Sequence, residues 1–308
     1  MRSFGKLVVA TALAASPALS APHTLDIDDR VPKFEKFYAD ATAQPLSADA
    51  RFAVWEKEDG LAAVPPGPDG DAMARKLLDA AWDKYPPLVA KLPRLTIEAT
   101  ATAREMFARD NALLGTAGVA IHSRVILYVG QFDNNAFTVP AMDGKPPTVL
   151  MPVETIALKI TLAHELTHAI HMQLADVKNS FGAPLGETMF LEGLAMRTSQ
   201  MAVPGYPDAA YAAMPGDTAW MPQCLARKTA ILKGIVPDLG KSGRDIAMKY
   251  TFGLGNTGIQ REAYCAAWIV MGDMVRRGWT LPKLARVPEA RMIDTIKAAM
   301  GGENVQLQ

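Results

Sequence analysis

The chain contains the segment His164-Glu165-Leu166-Thr167-His168. Its two histidines are four residues apart, so on a helix they lie on one face, one turn above the other, and can bind the same metal ion. Glu165 adjoins the first histidine and can act as a base toward water on that metal. An H-E-x-x-H sequence within a helix is therefore typical of zinc hydrolases.

Apolar residues around this motif predict the helix that the chemistry requires. They recur at steps of three and four along two stripes, which are formed by Ile156, Ile160, Ala163, Thr167, Ile170 and Leu174, and by Leu158, Leu162 and Leu166. This spacing indicates a helix, and apolar residues on two sides indicate that the helix is buried. A core helix with hydrogen-bonded histidines is the alternative, but it leaves the spacing and Glu165 unexplained.

A catalytic zinc ion usually has three protein ligands and one position for water. Glu192 is the candidate third ligand, because residues 185–201 have helical periodicity and a loop before them lets this second helix fold back. His171 lies one turn beyond His168, roughly 10 Å from His164, which is too far for one ion with bonds of about 2 Å. Glu187 is five residues before Glu192, and helical geometry turns it to another side.

The H-E-x-x-H motif followed by Glu192-Gly193-Leu194-Ala195 resembles the gluzincin clan of metallopeptidases, relatives of thermolysin. Within the clan the chain is most similar to a bacterial family of predicted Zn-dependent proteases, over about residues 125–284. The resemblance implies one zinc ion as cofactor. It implies His164, His168 and Glu192 as the metal ligands and Glu165 as the catalytic base.

The resemblance also implies a sheet before the metal helix, whose edge strand lines the cleft and receives an extended peptide. Residues 124–129 and 148–151 are rich in β-formers and predict two strands of this sheet. Residues 134–139 are the candidate edge strand.

A partner for the oxyanion is expected near the start of a late helix, predicted at residues 260–276. The resemblance places an aromatic hydroxyl there, so Tyr264 is the first candidate and Arg261 the second. The alternative is that Tyr264 packs with Trp268 and its hydroxyl reaches solvent.

The first residues have the features of a secretory signal, namely a basic start, an apolar run at residues 7–15 and small residues at 17–21. We expect removal of this signal and export to the periplasm or extracellular space, without stable membrane insertion afterwards. An uncleaved anchor is the alternative. In an oxidising compartment Cys224 and Cys265 could pair, but their separation in sequence does not decide it.

The charge of the chain argues against a nucleic-acid partner. Lys and Arg total 32, Asp and Glu total 32, and no basic stripe is present. The expected partner is a peptide or protein substrate. The oligomeric state is not predictable from the sequence.

The pattern as a whole predicts an α+β fold, mostly helical with a small mixed sheet. We divide it into a signal peptide at 1–21, a helical N-terminal region at 22–120 and a zinc metallopeptidase domain at 121–308. Further helices are predicted at residues 28–61, 72–85, 98–114, 225–235 and 289–300.

The expected function is that of an exported zinc-dependent metallopeptidase. Two alternatives remain open at this point. One is a zinc-binding scaffold or inhibitor without turnover, against which the intact Glu165 argues. The other is a metallohydrolase of a non-peptide substrate, because the same water activation serves other hydrolyses.

Overall fold

The computed structural model describes residues 22–58, 60–64, 67–178 and 182–301. The predicted signal peptide lies outside the described residues. The fold is α+β, mostly helical with a small mixed sheet, as predicted.

The strands are β1 (His23–Asp29), β2 (Ile121–Tyr128), β3 (Phe137–Val139) and β4 (Thr148–Pro152). The first helices are α1 (Val31–Thr42), α2 (Ala48–Glu58), α3 (Pro68–Ala81), α4 (Tyr85–Val89) and α5 (Leu92–Leu114). The later helices are α6 (Leu158–Leu174), α7 (Leu185–Ala202), α8 (Ala209–Ala212), α9 (Trp220–Ala226), α10 (Lys228–Ile235), α11 (Arg244–Ala247), α12 (Glu262–Arg276), α13 (Leu281–Leu284) and α14 (Glu289–Gly301).

The four strands form one sheet in the order β1-β2-β4-β3. β2 pairs in parallel with β1 and with β4, and Val125 of β2 lies opposite Ile27 on one side and Val149 on the other. Val125 and Val149 are fully buried, which explains why the sequences of these central strands are mostly apolar. The strands predicted at 124–129 and 148–151 are therefore confirmed.

β3 pairs antiparallel with β4 and forms one edge of the sheet. It is shorter than the predicted strand at 134–139, because Asn134 adopts a left-handed conformation with φ of 53°. Glu154 orders the loop that leads to this strand by accepting hydrogen bonds from the backbone N–H groups of Gly130, at 3.1 Å, and Phe132, at 3.3 Å. The edge position of this segment is confirmed.

The other edge strand, β1, was not predicted. Its leucine and isoleucine alternate with polar residues, which is the pattern of a half-buried strand, but it is short and rich in aspartate. Asp28 accepts a hydrogen bond from Arg124 of β2 at 2.6 Å, and Asp26 contacts His122 at 2.8 Å. β1 thus joins residues of the N-terminal region to the sheet of the following region.

The predicted motif helix is present as α6, at the centre of the fold. It packs against the sheet on one side and against α5 and α7 on the others. Most of its residues between Ile160 and Met172 are buried, as two apolar stripes require. Ile156 is an exception: it is 79% exposed and precedes the helix, so its assignment to the first stripe was wrong.

The ligand helix α7 packs against α6, α5, α12 and α14. Gly193 makes the contact with α12 possible, because a Cβ there would lie 3.0 Å from Met271 and 3.1 Å from the carbonyl oxygen of Ala267. A glycine within a helix costs about 1 kcal/mol relative to alanine. Close packing of two helices explains why it stands directly after Glu192.

Cys224 and Cys265, whose pairing the sequence left open, form a disulfide bond with a Cα–Cα distance of 5.7 Å. Both are fully buried, and the bond ties α9 to the first turn of α12. In the part of the chain that the structure describes, no helix is long and apolar enough to cross a membrane.

Candidate metal centre

Three side chains from two helices converge on one point. His164 Nε2 lies 3.0 Å from Glu192 Oε2 and 3.1 Å from His168 Nε2, and His168 Nε2 lies 3.7 Å from Glu192 Oε2. All potential ligand atoms of this group lie within 4.8 Å of one another. The two histidines come from successive turns of α6 and the glutamate comes from α7, as predicted.

These distances fit a zinc ion. Their mean, about 3.3 Å, equals the separation of ligand atoms around a tetrahedral zinc ion with bonds of about 2.0–2.1 Å. Two imidazole nitrogens and one carboxylate oxygen are also a common ligand set of catalytic zinc, with a fourth position for water. The donor set and spacing therefore suit the metal that the sequence implied.

The electrostatics of the group favour a cation at this point. Burial opposes ionisation of Glu192, yet the positive charge of His168 and hydrogen bonds from both imidazoles hold the pKa of Glu192 well below its usual value. Burial alone would lower the pKa of His168, but the Glu192 carboxylate outweighs burial and the pKa is raised. The half-buried carboxylate is therefore stabilised by positive charge beside it, which a divalent ion can supply.

Glu165 is 8% exposed and faces this group. Its carboxylate acts on both His168 and Tyr264, raising the pKa of each. Thr138 of β3 donates a hydrogen bond through its hydroxyl to Glu165 Oε2 at 2.7 Å, and that hydroxyl also lies 3.0 Å from the Glu165 backbone oxygen. The edge strand therefore holds the candidate base directly, a contact that sequence reasoning missed.

Tyr264 lies in the first turn of α12, half-buried, with its hydroxyl beside the group. Burial first, and then the charges of Glu192 and Glu165, raise the pKa of Tyr264 above its ordinary value. The hydroxyl therefore stays protonated near neutral pH and can donate a hydrogen bond. Its ring is covered by the guanidinium of Arg261, 3.7 Å from the ring centre, and the alternative packing partner Trp268 stacks on Tyr211 instead.

The two rejected ligand candidates lie apart from the group. His171 is fully buried against Phe190, with ring centres 6.0 Å apart, and burial followed by the charge of His168 lowers its pKa to about 3. Glu187 contacts Glu289, and burial followed by that contact raises the pKa of Glu187 to about 7. Neither belongs to the metal-ligand group found among the described residues.

The glycine-rich segment before α12 packs against Glu262, the first residue of that helix. Buried Glu262 accepts hydrogen bonds from the backbone N–H groups of Asn256, at 2.8 Å, and Thr257, at 2.5 Å. Gly255 must lack a side chain, because a Cβ there would lie 2.2 Å from the Glu262 carboxyl. The loop is therefore fixed to the start of the helix that carries Tyr264.

Comparisons of the chain with protein-family models, with curated proteins and with solved structures find no match.

Proposed function

We propose that the protein is a zinc-dependent metallopeptidase of the gluzincin type. The observation that carries the proposal is the convergence of two imidazole nitrogens and one carboxylate oxygen at 3.0–3.7 Å, with the carboxylate of Glu165 facing them. Histidines that only packed in the core would not need to converge with the Glu192 carboxylate, and they would not need Glu165 beside them.

Zinc, when bound, supplies a polarised water whose pKa is lowered from about 15.7 toward 7. The residues of the chain do the rest. Glu165 accepts the proton of the attacking water at one carboxylate oxygen while Thr138 holds the other, and the same carboxyl returns the proton to the leaving amine. The protonated hydroxyl of Tyr264 donates a hydrogen bond to the oxyanion that develops on the substrate.

The edge strand favours a peptide as the substrate. Among the described strands, β3 pairs on one side only, with β4. An extended peptide can add to such an edge through backbone hydrogen bonds. Because Thr138 of this strand contacts Glu165, a peptide bound along β3 would lie next to the candidate base. This contact supports peptide hydrolysis over other hydrolytic reactions.

Export remains part of the proposal. Residues 1–21 have the pattern of a signal peptide. The disulfide between Cys224 and Cys265 suits an oxidising compartment outside the cytosol.

The test uses the chain without residues 1–21, loaded with zinc and incubated with mixed peptides, whose products are identified by mass spectrometry. We expect cleavage that a chelator abolishes and zinc restores. Glu165→Gln should retain zinc and lose turnover, whereas Glu187→Gln, a matched change of a carboxylate outside the site, should retain both. Wild-type turnover by the Glu165→Gln variant would refute the proposed base. Cleavage of esters or cell-wall fragments without peptides would favour a different hydrolase.

A further inference from the structure

Arg261, the residue directly before α12, is a cation without an anionic partner among the described residues. Its Nη1 contacts the sulfur of Met214, a weak acceptor, and its Nε is buried without any hydrogen-bond partner in the described chain. Its guanidinium otherwise lies over the ring of Tyr264, 3.7 Å from the ring centre. A buried donor without an acceptor costs about 1–3 kcal/mol, so this arrangement needs an explanation.

The backbone of Arg261 is also held in an unfavourable conformation. Its φ of 60° and ψ of 45° are left-handed, a region that costs a residue other than glycine or asparagine roughly 1 kcal/mol or more. The strain is maintained by neighbouring contacts: its N–H donates to the Gly253 oxygen at 3.0 Å, and the Gln260 oxygen accepts from Trp220 at 2.7 Å. Strain that surrounding structure maintains is characteristic of functional sites.

This cation lies close to the metal centre. The Glu192 carboxylate hydrogen-bonds to the hydroxyl of Tyr264, and the ring of Tyr264 lies under the guanidinium of Arg261. One tyrosine side chain therefore separates the guanidinium from the candidate ligands. The disulfide at Cys265 fixes the same turn of helix, so the position is preorganised.

We propose that Arg261 binds a carboxylate of the peptide substrate close to the scissile bond. This inference rests on the proposed peptidase function and deepens it. The planar guanidinium presents two parallel N–H donors that match a carboxylate, which a single ammonium does not. A substrate carboxylate would supply the missing negative charge and a stronger acceptor than the sulfur of Met214.

Two groups of a peptide can supply the carboxylate that Arg261 would bind. One is the terminal carboxylate, which lies about one residue, or 3.6 Å of chain, beyond the bond that releases the last amino acid. The other is the side chain of an aspartate or glutamate near the cleaved bond. The first would make the enzyme an exopeptidase acting at carboxyl termini, and the second would make it an endopeptidase selective for acidic sequences.

The experiment compares three peptide libraries with the zinc-loaded protein. The first contains neutral hexapeptides with a free terminal carboxylate, the second contains the same peptides as carboxamides, and the third contains carboxamides with one glutamate. We expect kcat/KM to be at least about tenfold higher for the first or the third library than for the second, since a charge-assisted hydrogen bond is lost without the carboxylate. Which library is preferred identifies the carboxylate.

The variant is Arg261→Asn, because asparagine accepts the left-handed backbone while the positive charge and the guanidinium donors are lost. This variant should cleave all three libraries at similar rates. Its zinc content should equal that of the wild type, and its thermal unfolding midpoint should be at or above the wild-type value. Arg276→Gln, at the far end of α12 where the arginine pairs with Asp273, is the matched control and should keep the preference.

If the wild-type protein cleaved all three libraries at equal rates, the inference about Arg261 would be wrong, but the proposed peptidase function would stand. A preference that survives in Arg261→Asn would also overturn it. If the zinc-loaded protein cleaved none of the libraries, the proposed peptidase function would fail and the inference with it.

Discussion

Replacing Thr138 by valine tests whether the edge strand holds the catalytic base. Valine has nearly the shape of threonine and favours strands equally, so β3 should keep its place, but the 2.7 Å hydrogen bond to Glu165 is lost. A hydrogen bond to a charged group contributes about 1.5–3 kcal/mol. If that energy serves to orient the carboxylate toward the attacking water, kcat should fall roughly 10- to 150-fold.

The assay is steady-state hydrolysis of a peptide by zinc-loaded protein. The Michaelis constant should change by less than about twofold, because the Thr138 hydroxyl contacts the base and not the substrate. Thr138→Ser keeps the hydroxyl and should restore most of the turnover, and zinc content should be equal in all three proteins. A kcat for the valine variant within twofold of wild type would refute the reasoning, as would a serine variant no better than valine.

Two further predictions concern stability. Burial and the contact with Glu289 raise the pKa of Glu187 from an ordinary value of 4.5 to about 7. Between these pH values the folded state holds a proton that the unfolded state has released, so the free energy of unfolding should fall as the pH rises through this window. Denaturant unfolding at pH 5 and pH 8 should show a smaller fall for Glu187→Gln than for wild type, and an equal fall would contradict the prediction. Replacing both Cys224 and Cys265 by serine removes a cross-link over 41 residues and should lower the free energy of unfolding by about 4 kcal/mol in the chain-entropy account. Urea unfolding of the variant and of the wild type, with and without reductant, measures this loss. Equal stability of the variant and the oxidised wild type would contradict the prediction.

The elements that periodicity defines were predictable. The apolar stripes of α6 and α7 and the β-rich runs of β2 and β4 each match one regular pattern over enough residues to exceed chance. The spacing of His164 and His168 fixes their common face on any helix, so the first two candidate ligands followed from local geometry. Glu192 needed a long-range contact, which the second helix and the family resemblance together suggested.

What the sequence did not reveal depends on contacts between distant segments. β1 is a short, aspartate-rich strand whose stability comes from pairing with β2, about a hundred residues later, and no local pattern marks that pairing. The Cys224–Cys265 bond likewise required the positions of α9 and α12.

The missed contributions to the site have the same origin. A threonine in an edge strand is ordinary, and only the packing of β3 beside α6 brings the Thr138 hydroxyl to Glu165. Arg261 was named from the sequence only as the second candidate for the oxyanion, because its left-handed backbone and unpartnered Nε appear only once the loop before α12 is folded.

The central claim is tested most directly by zinc stoichiometry and affinity measured by competition with a chelator of known affinity. We predict one zinc ion per chain in the wild type and in Glu187→Gln, and a loss of affinity of at least about tenfold in His164→Ala and in Glu192→Gln. Zinc binding that is absent in the wild type, or equally strong after replacement of Glu192, would contradict the account.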